Sequence, residues 1–243
     1  MTTIFLFLGL ALGALPAAAG QAGCVYDMAG DVQVRRAGAA DWGPVRKGLP
    51  LSEGDGLRTG GGSWCELLFK DGTYVKLDAD SEAAAETLKA SAAERVFSFS
   101  FLKGKALWLA AKLKARAGGF TVRTPSAVCA VRGTAFAVAV STSGGTSVGL
   151  FEGKVAVSSS GTEKELLPGS EAVSPSPGEV LVQARLSRLM KAEERRYARV
   201  KGRVEALRKR LAERDDFIDD YIARQQKALS DFEKRRAGKL GKR

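Results

Sequence analysis

The sequence predicts a mainly β protein: an irregular β-solenoid or sandwich-like domain, followed by one long, coiled-coil-like C-terminal α-helix. Three observations predict it. Glycine corners followed by alternating apolar positions recur from residue 29 to about 175. A breaker cluster, Ser174-Pro175-Ser176-Pro177-Gly178, ends that pattern. Beyond it, residues 183–236 contain no proline and repeat apolar side chains every seven residues.

The β elements follow from the corners. Gly30-Asp31-Val32-Gln33-Val34, Gly72-Thr73-Tyr74-Val75, Gly104-Lys105-Ala106-Leu107-Trp108, Gly133-Thr134-Ala135-Phe136 and Gly153-Lys154-Val155-Ala156-Val157 share one local theme. Glycine permits a left-handed corner, and the period-two pattern after it is a half-buried strand. The intervals are uneven, which excludes a strict repeat array. Residues 134–140 are apolar on both faces, Phe136, Val138 and Val140 on one and Ala135, Ala137 and Ala139 on the other, so this strand is expected to be covered on both sides. Residues 79–95, rich in Ala and Glu, read instead as a short helix or a loop edge.

Composition narrows the chemistry. The 243 residues are 45% hydrophobic, enough for a packed core, and include no histidine. That removes Ser-His-Asp and Cys-His catalysis and the commonest zinc ligand. The net charge of +11 is localised: residues 184–243 hold 20 Lys+Arg against 10 Asp+Glu, whereas residues 1–183 hold 18 against 17. Any electrostatic partner is therefore a partner of the C-terminal segment.

Within the β region, Gly48 with Gly54-Asp55, Leu57-Arg58-Thr59-Gly60, Asp71-Gly72-Thr73, Thr124-Pro125, Val131-Arg132-Gly133-Thr134 and Glu152-Gly153 occur in an order that resembles the FecR domain. The resemblance covers the domain expected over 25–175. It implies an extracytoplasmic, β-rich, solenoid-like fold, with these signature residues structural. The best-known members are transmembrane sigma-factor regulators that respond to a TonB-dependent receptor. In those regulators a cytoplasmic sigma-binding domain and a membrane crossing precede this domain, and a receptor-facing module follows it. Here an export segment and a helix are expected in those places, so the resemblance implies the domain and not the whole mechanism.

Residues 1–19 read as a signal peptide: an apolar run from Ile4 to Leu15, then Pro16 and Ala17-Ala18-Ala19 before Gly20. The alternative is a lipoprotein signal over 1–23, with Ala22-Gly23-Cys24 placing lipid on Cys24, although Gln21 departs from the usual aliphatic residue. Either reading places the protein in the periplasm or on the envelope. There Cys65 and Cys129 can form a disulfide or remain buried small side chains.

A linker is expected over 175–182, a basic helix over 183–236 and a disordered basic tail over 237–243. With Met190 at position a, the a and d positions include Tyr197, Val204, Leu211, Ile218, Leu186, Val200, Leu207 and Tyr221; Glu193, Arg214 and Gln225 break the seam. Such a helix would be about 80 Å long. A parallel homodimer is disfavoured, because Arg196 would meet Lys201 and Arg203 would meet Arg208. An antiparallel pair, a bundle or docking on another protein suits the wide seam better. The basic face fits an anionic surface or simple solvation; nucleic acid is disfavoured for an exported chain without a base-reading motif.

No cofactor or metal site is expected. Asp55, Asp71 and Glu152 stand at corners, where carboxylates accept backbone hydrogen bonds. Lys103 and Lys105 flank Gly104 without a catalytic serine. Trp42, Trp64 and Trp108 are read as core or edge aromatics, with a sugar platform as the alternative. Arg132 is expected to reach a carboxylate or backbone carbonyls nearby. The function that follows is a non-enzymatic, exported interaction module of the bacterial cell envelope. Its β domain would hold an envelope protein or glycan, and its helix would oligomerise or attach it. The alternative is a FecR-type signalling component acting with a separate sigma-factor regulator.

Overall fold

In the computed structural model, residues 22–90, 94–112, 118–176 and 178–240 are described. The expected signal segment over 1–19, nearly all of its 1–23 alternative and the end of the tail, 241–243, lie outside them.

The described strands join in one sheet. β1 (Gly23–Ala29) pairs with β4 (Pro50–Leu51) and β6 (Trp64–Phe69), and β6 pairs with β7 (Tyr74–Leu77). β2 (Val32–Arg35) joins β3 (Gly43–Pro44) and β5 (Gly56–Thr59), and β5 leads to β8 (Glu82–Ala90). β9 (Arg95–Leu109), β11 (Val128–Val140) and β12 (Thr146–Ser159) are the long strands. β10 (Gly118–Arg123) runs parallel to β9, while β13 (Thr162–Leu166), β14 (Glu171–Ser174) and β15 (Leu181–Gln183) finish the sheet.

The long strands each bend at one left-handed glycine: Gly104 at φ 90°, Gly133 at φ 61° and Gly153 at φ 89°. A Cβ on Gly104 would lie 2.5 Å from the Ser81 backbone, so the bend admits no side chain. Before its bend β9 pairs with β8 and β10; after it, with β7 and β11. Three of the expected corners are thus bends inside continuous strands, and the sheet folds over itself into two layers.

The main core lies between the layers. Phe97, Phe99 and Phe101 come from one half of β9 and Ala106 and Trp108 from the other, joined by Phe120, Phe136, Val138 and Leu150. Trp108 stacks on Phe136 at 14° and lies 5.3 Å from Phe99, centroid to centroid.

Residues 82–90, expected as a short helix or loop edge, form β8. Ala83, Ala85 and Leu88 turn into the core, with a bulge between Ala85 and Thr87 resetting the alternation. Flanking strands β5 and β9 supply the ladder, and that outweighs the helical preference of alanine. The expected linker 175–182 leads directly into β15, which starts at Leu181.

The C-terminal segment is two helices, α1 (Arg188–Glu213) and α2 (Phe217–Leu240). The expected single rod over 183–236 breaks at Arg214, where φ is −142° and ψ is 104°. Asp219 and Asp220 fill the first turn of α2, where the positive end of the helix dipole favours them. The tail expected to be disordered from 237 is helical up to Leu240. No helix among the described residues is long and apolar enough to cross a membrane.

Candidate functional site

The layer containing β6, β7 and the far half of β9 is buried on both faces. Alternation puts Leu67 and Phe69 in the main core and Leu68 outside it; likewise Val75 inside and Tyr74 outside, Trp108 inside and Leu107 and Leu109 outside. On β11, Phe136 and Val138 face the core while Ala135 and Ala137 face out. The two apolar faces of residues 134–140 have this cause: the alanine face is the seat of α1.

α1 begins at Ser187, whose Oγ accepts from the Met190 N–H at 3.3 Å while its own N–H donates to Glu171 at 2.6 Å. Leu186, Met190, Tyr197 and Val204 then pack on Tyr74, Leu107, Leu109, Ala135, Ala137 and Phe151. Gly149 makes the closest approach, since a Cβ there would lie 2.9 Å from the Met190 Cγ and Sδ. Tyr197 stacks on Phe151, with centroids 5.7 Å apart at 17°. Past the break, Ile218 and Ile222 join Leu207, Leu68 and Cys24 in a second cluster. The heptad seam is therefore a docking stripe for the chain's own sheet, not a coiled-coil interface.

Charges fix this docking. Lys105 bridges Glu193 at 2.6 Å and Asp78 at 3.2 Å, and Arg196 pairs with the same two carboxylates. Glu193, the polar d position, is thus buried but paired. Glu66, 1% exposed, takes Arg203 at 2.8 Å and Lys76 at 2.9 Å, and Arg203 also donates to the Tyr74 hydroxyl at 2.9 Å. Burial alone would raise the Glu66 carboxyl; hydrogen bonds from Arg203 and Lys76 outweigh it and hold the group below its ordinary value. Arg208 donates to the carbonyls of Gly72 at 2.9 Å and Leu109 at 2.8 Å, and Lys201 pairs with Glu152.

The solvent side of α1 is different. Arg188, Lys191, Arg195, Arg199 and Arg210 are exposed, and among the described residues none of them forms an ion pair. They line about 33 Å of helix, interrupted by the exposed acids Glu194 and Glu205.

The expected signature residues are spread over turns and strands. Asp55 accepts from the Ser52 N–H at 2.9 Å, the Ala37 N–H at 3.2 Å and Arg36 at 2.6 Å. Its neighbour Gly54 donates to the Ala85 carbonyl at 2.7 Å, and Gly60 donates to the Asp31 carbonyl at 2.9 Å. Arg58 reaches Gln33 and stands 4.4 Å over the Trp42 ring, and Thr59 links to Asp78 and Ser81. Asp71 accepts from the Thr73 N–H and hydroxyl, both at 2.8 Å; burial nevertheless pushes its carboxyl above the ordinary value. Thr124 closes the Pro125 turn on Ala127, and Thr134 donates to the Lys154 carbonyl at 2.9 Å. Of this set, Gly72 and Glu152 bond directly to side chains of α1. Gly133 and Gly153 are the strand bends described above.

Arg132 is exposed, and among the described residues its side chain forms no hydrogen bond or ion pair. Cys65 and Cys129 are buried free thiols rather than a disulfide. Cys24 is free and fully buried, in one cluster with Leu68, Leu207, Ile218 and Ile222. Burial pushes the Cys24 and Cys129 thiols up to about 12. Among the described residues no cluster of His, Cys, Asp or Glu could hold a metal ion.

Sequence reasoning missed Glu66, Lys76, Asp78 and Arg203 as the anchors of the helix. The available signal was a carboxylate and an ammonium, Glu66 and Lys76, placed inside otherwise apolar strands.

Residues 55–156, which include the bent central strands of this β domain, match the family model described as FecR protein. The chain is also similar to two solved structures, at 1.65 and 2.50 Å resolution, of a "putative anti-sigma factor from Parabacteroides distasonis ATCC 8503". Each is 23% identical, with a TM-score of 0.46, over 54% of this chain and 59% of the other. The chain thus spans less than two thirds of the length of those proteins. No curated protein matches it.

Proposed function

We propose that this protein is an exported, FecR-type regulatory module of the bacterial cell envelope that works by binding rather than catalysis. Its β domain takes an envelope protein or glycan, and its helical arm attaches to an anionic surface. Export rests on the apolar Ile4–Leu15 segment with its small-residue cleavage site. The observation that carries the attachment is the division of cations on α1. Arg196, Lys201 and Arg203 are paired with the sheet, whereas Arg188, Lys191, Arg195, Arg199 and Arg210 stand unpaired toward solvent. Basic side chains near an anionic membrane contribute about 1 kcal/mol each at physiological salt.

Vesicle sedimentation tests this. The full chain is expected to bind phosphatidylglycerol vesicles, not phosphatidylcholine vesicles, and to release as salt rises. Changing the five outward cations to glutamine should weaken binding at least tenfold with the unfolding midpoint unchanged. Equal binding by the variant would reduce the stripe to a solvated face.

The match over residues 55–156 favours a second reading, a signalling component that acts with a separately encoded sigma-factor regulator. Capture of such a regulator by the full chain would support it, and capture independent of the β domain would oppose it.

A further inference from the structure

The helices leave one corner of the outer face open. An open groove of about 400 Å³ lies there, lined by Ser63, Trp64, Asp78, Lys105 and Arg196 and floored by glycines 62 and 104. Its size falls in the range of small-molecule sites, about 300–1,000 Å³. Trp64 shares its strand face with Glu66 and Leu68, both buried beneath the helices, yet the indole itself remains half-exposed. The Lys76 ammonium stands over the ring, 4.0 Å from its centroid, and helps fix it in place.

The polar wall is fixed before any ligand arrives. Asp78 pairs with Arg196 and with Lys105, and both cations are also held by Glu193. Two carboxylates and two cations sum to zero formal charge, so the wall offers no net field to an ion. It offers a carboxylate acceptor beside ammonium and guanidinium donors, next to the half-exposed indole of Trp64. A molecule with an apolar C–H face and a rim of hydroxyls satisfies both halves at once. Preorganised partners lower the ordering cost of binding it.

We propose that this groove binds a neutral saccharide, with a pyranose ring against Trp64 and its hydroxyls shared between Asp78, Lys105 and Arg196. The site rests on the reading of the β domain as the partner-binding half and is independent of the basic stripe on α1. It also joins the β domain to the helix, because Lys105 comes from β9, Asp78 from the end of β7 and Arg196 from α1.

The test is tryptophan fluorescence and calorimetric titration of the full chain with N-acetylglucosamine tetramer, maltotetraose and a tetragalacturonate. Saturable binding of a neutral oligosaccharide is expected, with Trp64→Ala weakening it at least tenfold and Trp42→Ala leaving it unchanged. Trp64→Phe keeps an aromatic face and should lose less than Trp64→Ala, which guards against a folding defect in the alanine variant. The inference is overturned if no neutral saccharide binds, if only the anionic one does, or if Trp64→Ala binds as well as the parent. Vesicle sedimentation of the same variants separates the two ideas: retained vesicle binding without saccharide binding removes this site and leaves the attachment reading intact.

Discussion

Met190 is fully buried, and its Cβ would stand 3.0 Å from a Cβ placed on Gly149, with its Cγ and Sδ at 2.9 Å. Gly149→Ala therefore cannot be absorbed by swinging the end of a flexible side chain; the helix itself must lift. That overpacking should cost about 1–3 kcal/mol. Met190→Ala removes a buried side chain and leaves a hole, at a cost of about 2–5 kcal/mol. Combined, the methyl group added at position 149 enters part of the hole, so the double variant should be more stable than the sum of the singles by about 1–2 kcal/mol. Urea unfolding followed by far-ultraviolet circular dichroism reads all four proteins, with a constant denaturant slope marking a single cooperative unit. Additivity within about 0.5 kcal/mol would refute the contact and with it the seating of α1 on β12.

Two further outcomes follow from the same interface. Because the Glu66 carboxyl is held below its ordinary value of 4.5, its contribution is complete above that value and is lost as pH falls through the folded value. Asp71, raised by burial, acts in the opposite sense, so the comparison must be with Glu66→Gln: a stability gap of about 1–3 kcal/mol at pH 7 should persist to pH 5 and narrow below about pH 4. A gap that does not change with pH would show that Glu66 is not an ionised anchor. The second outcome concerns Cys24, covered by Ile218 and Ile222. Native thiols should resist an aromatic disulfide reagent, and Ile218→Ala, costing about 2 kcal/mol or more, should speed labelling of Cys24 roughly 30-fold while Cys65 and Cys129 stay protected. Equal acceleration at all three would mean that α2 does not open separately.

Much of the fold was legible because glycine and period-two alternation are local signals. Gly104, Gly133 and Gly153 were marked as left-handed corners, and they are. Their role in bending long strands was not legible, because a bend and a turn place the same residue type at the same φ. The two apolar faces of residues 134–140 were also visible; what covers the alanine face was not. A heptad records that one side of a helix is buried, not what buries it. Its misfits carried the missing information: Glu193 is the buried partner of Lys105, and Arg214 is the break between helices. Glu66 and Arg203 are 137 residues apart, and no local pattern links them. Residues 82–90 misled because alanine favours helix in isolation, while two neighbouring strands decided otherwise.

The basic helical arm is the third layer of its own β domain and not half of a zipper with another chain. Gly149→Cys with Met190→Cys tests it directly, since their Cβ atoms need only a small outward shift to reach disulfide spacing of about 3.8 Å. The three native cysteines are buried and free, so they should not compete. Mild oxidation followed by peptide mass spectrometry should find the 149–190 bridge within a monomer. A covalent dimer, or two thiols that stay free, would mean that α1 does not sit on β12 of its own chain.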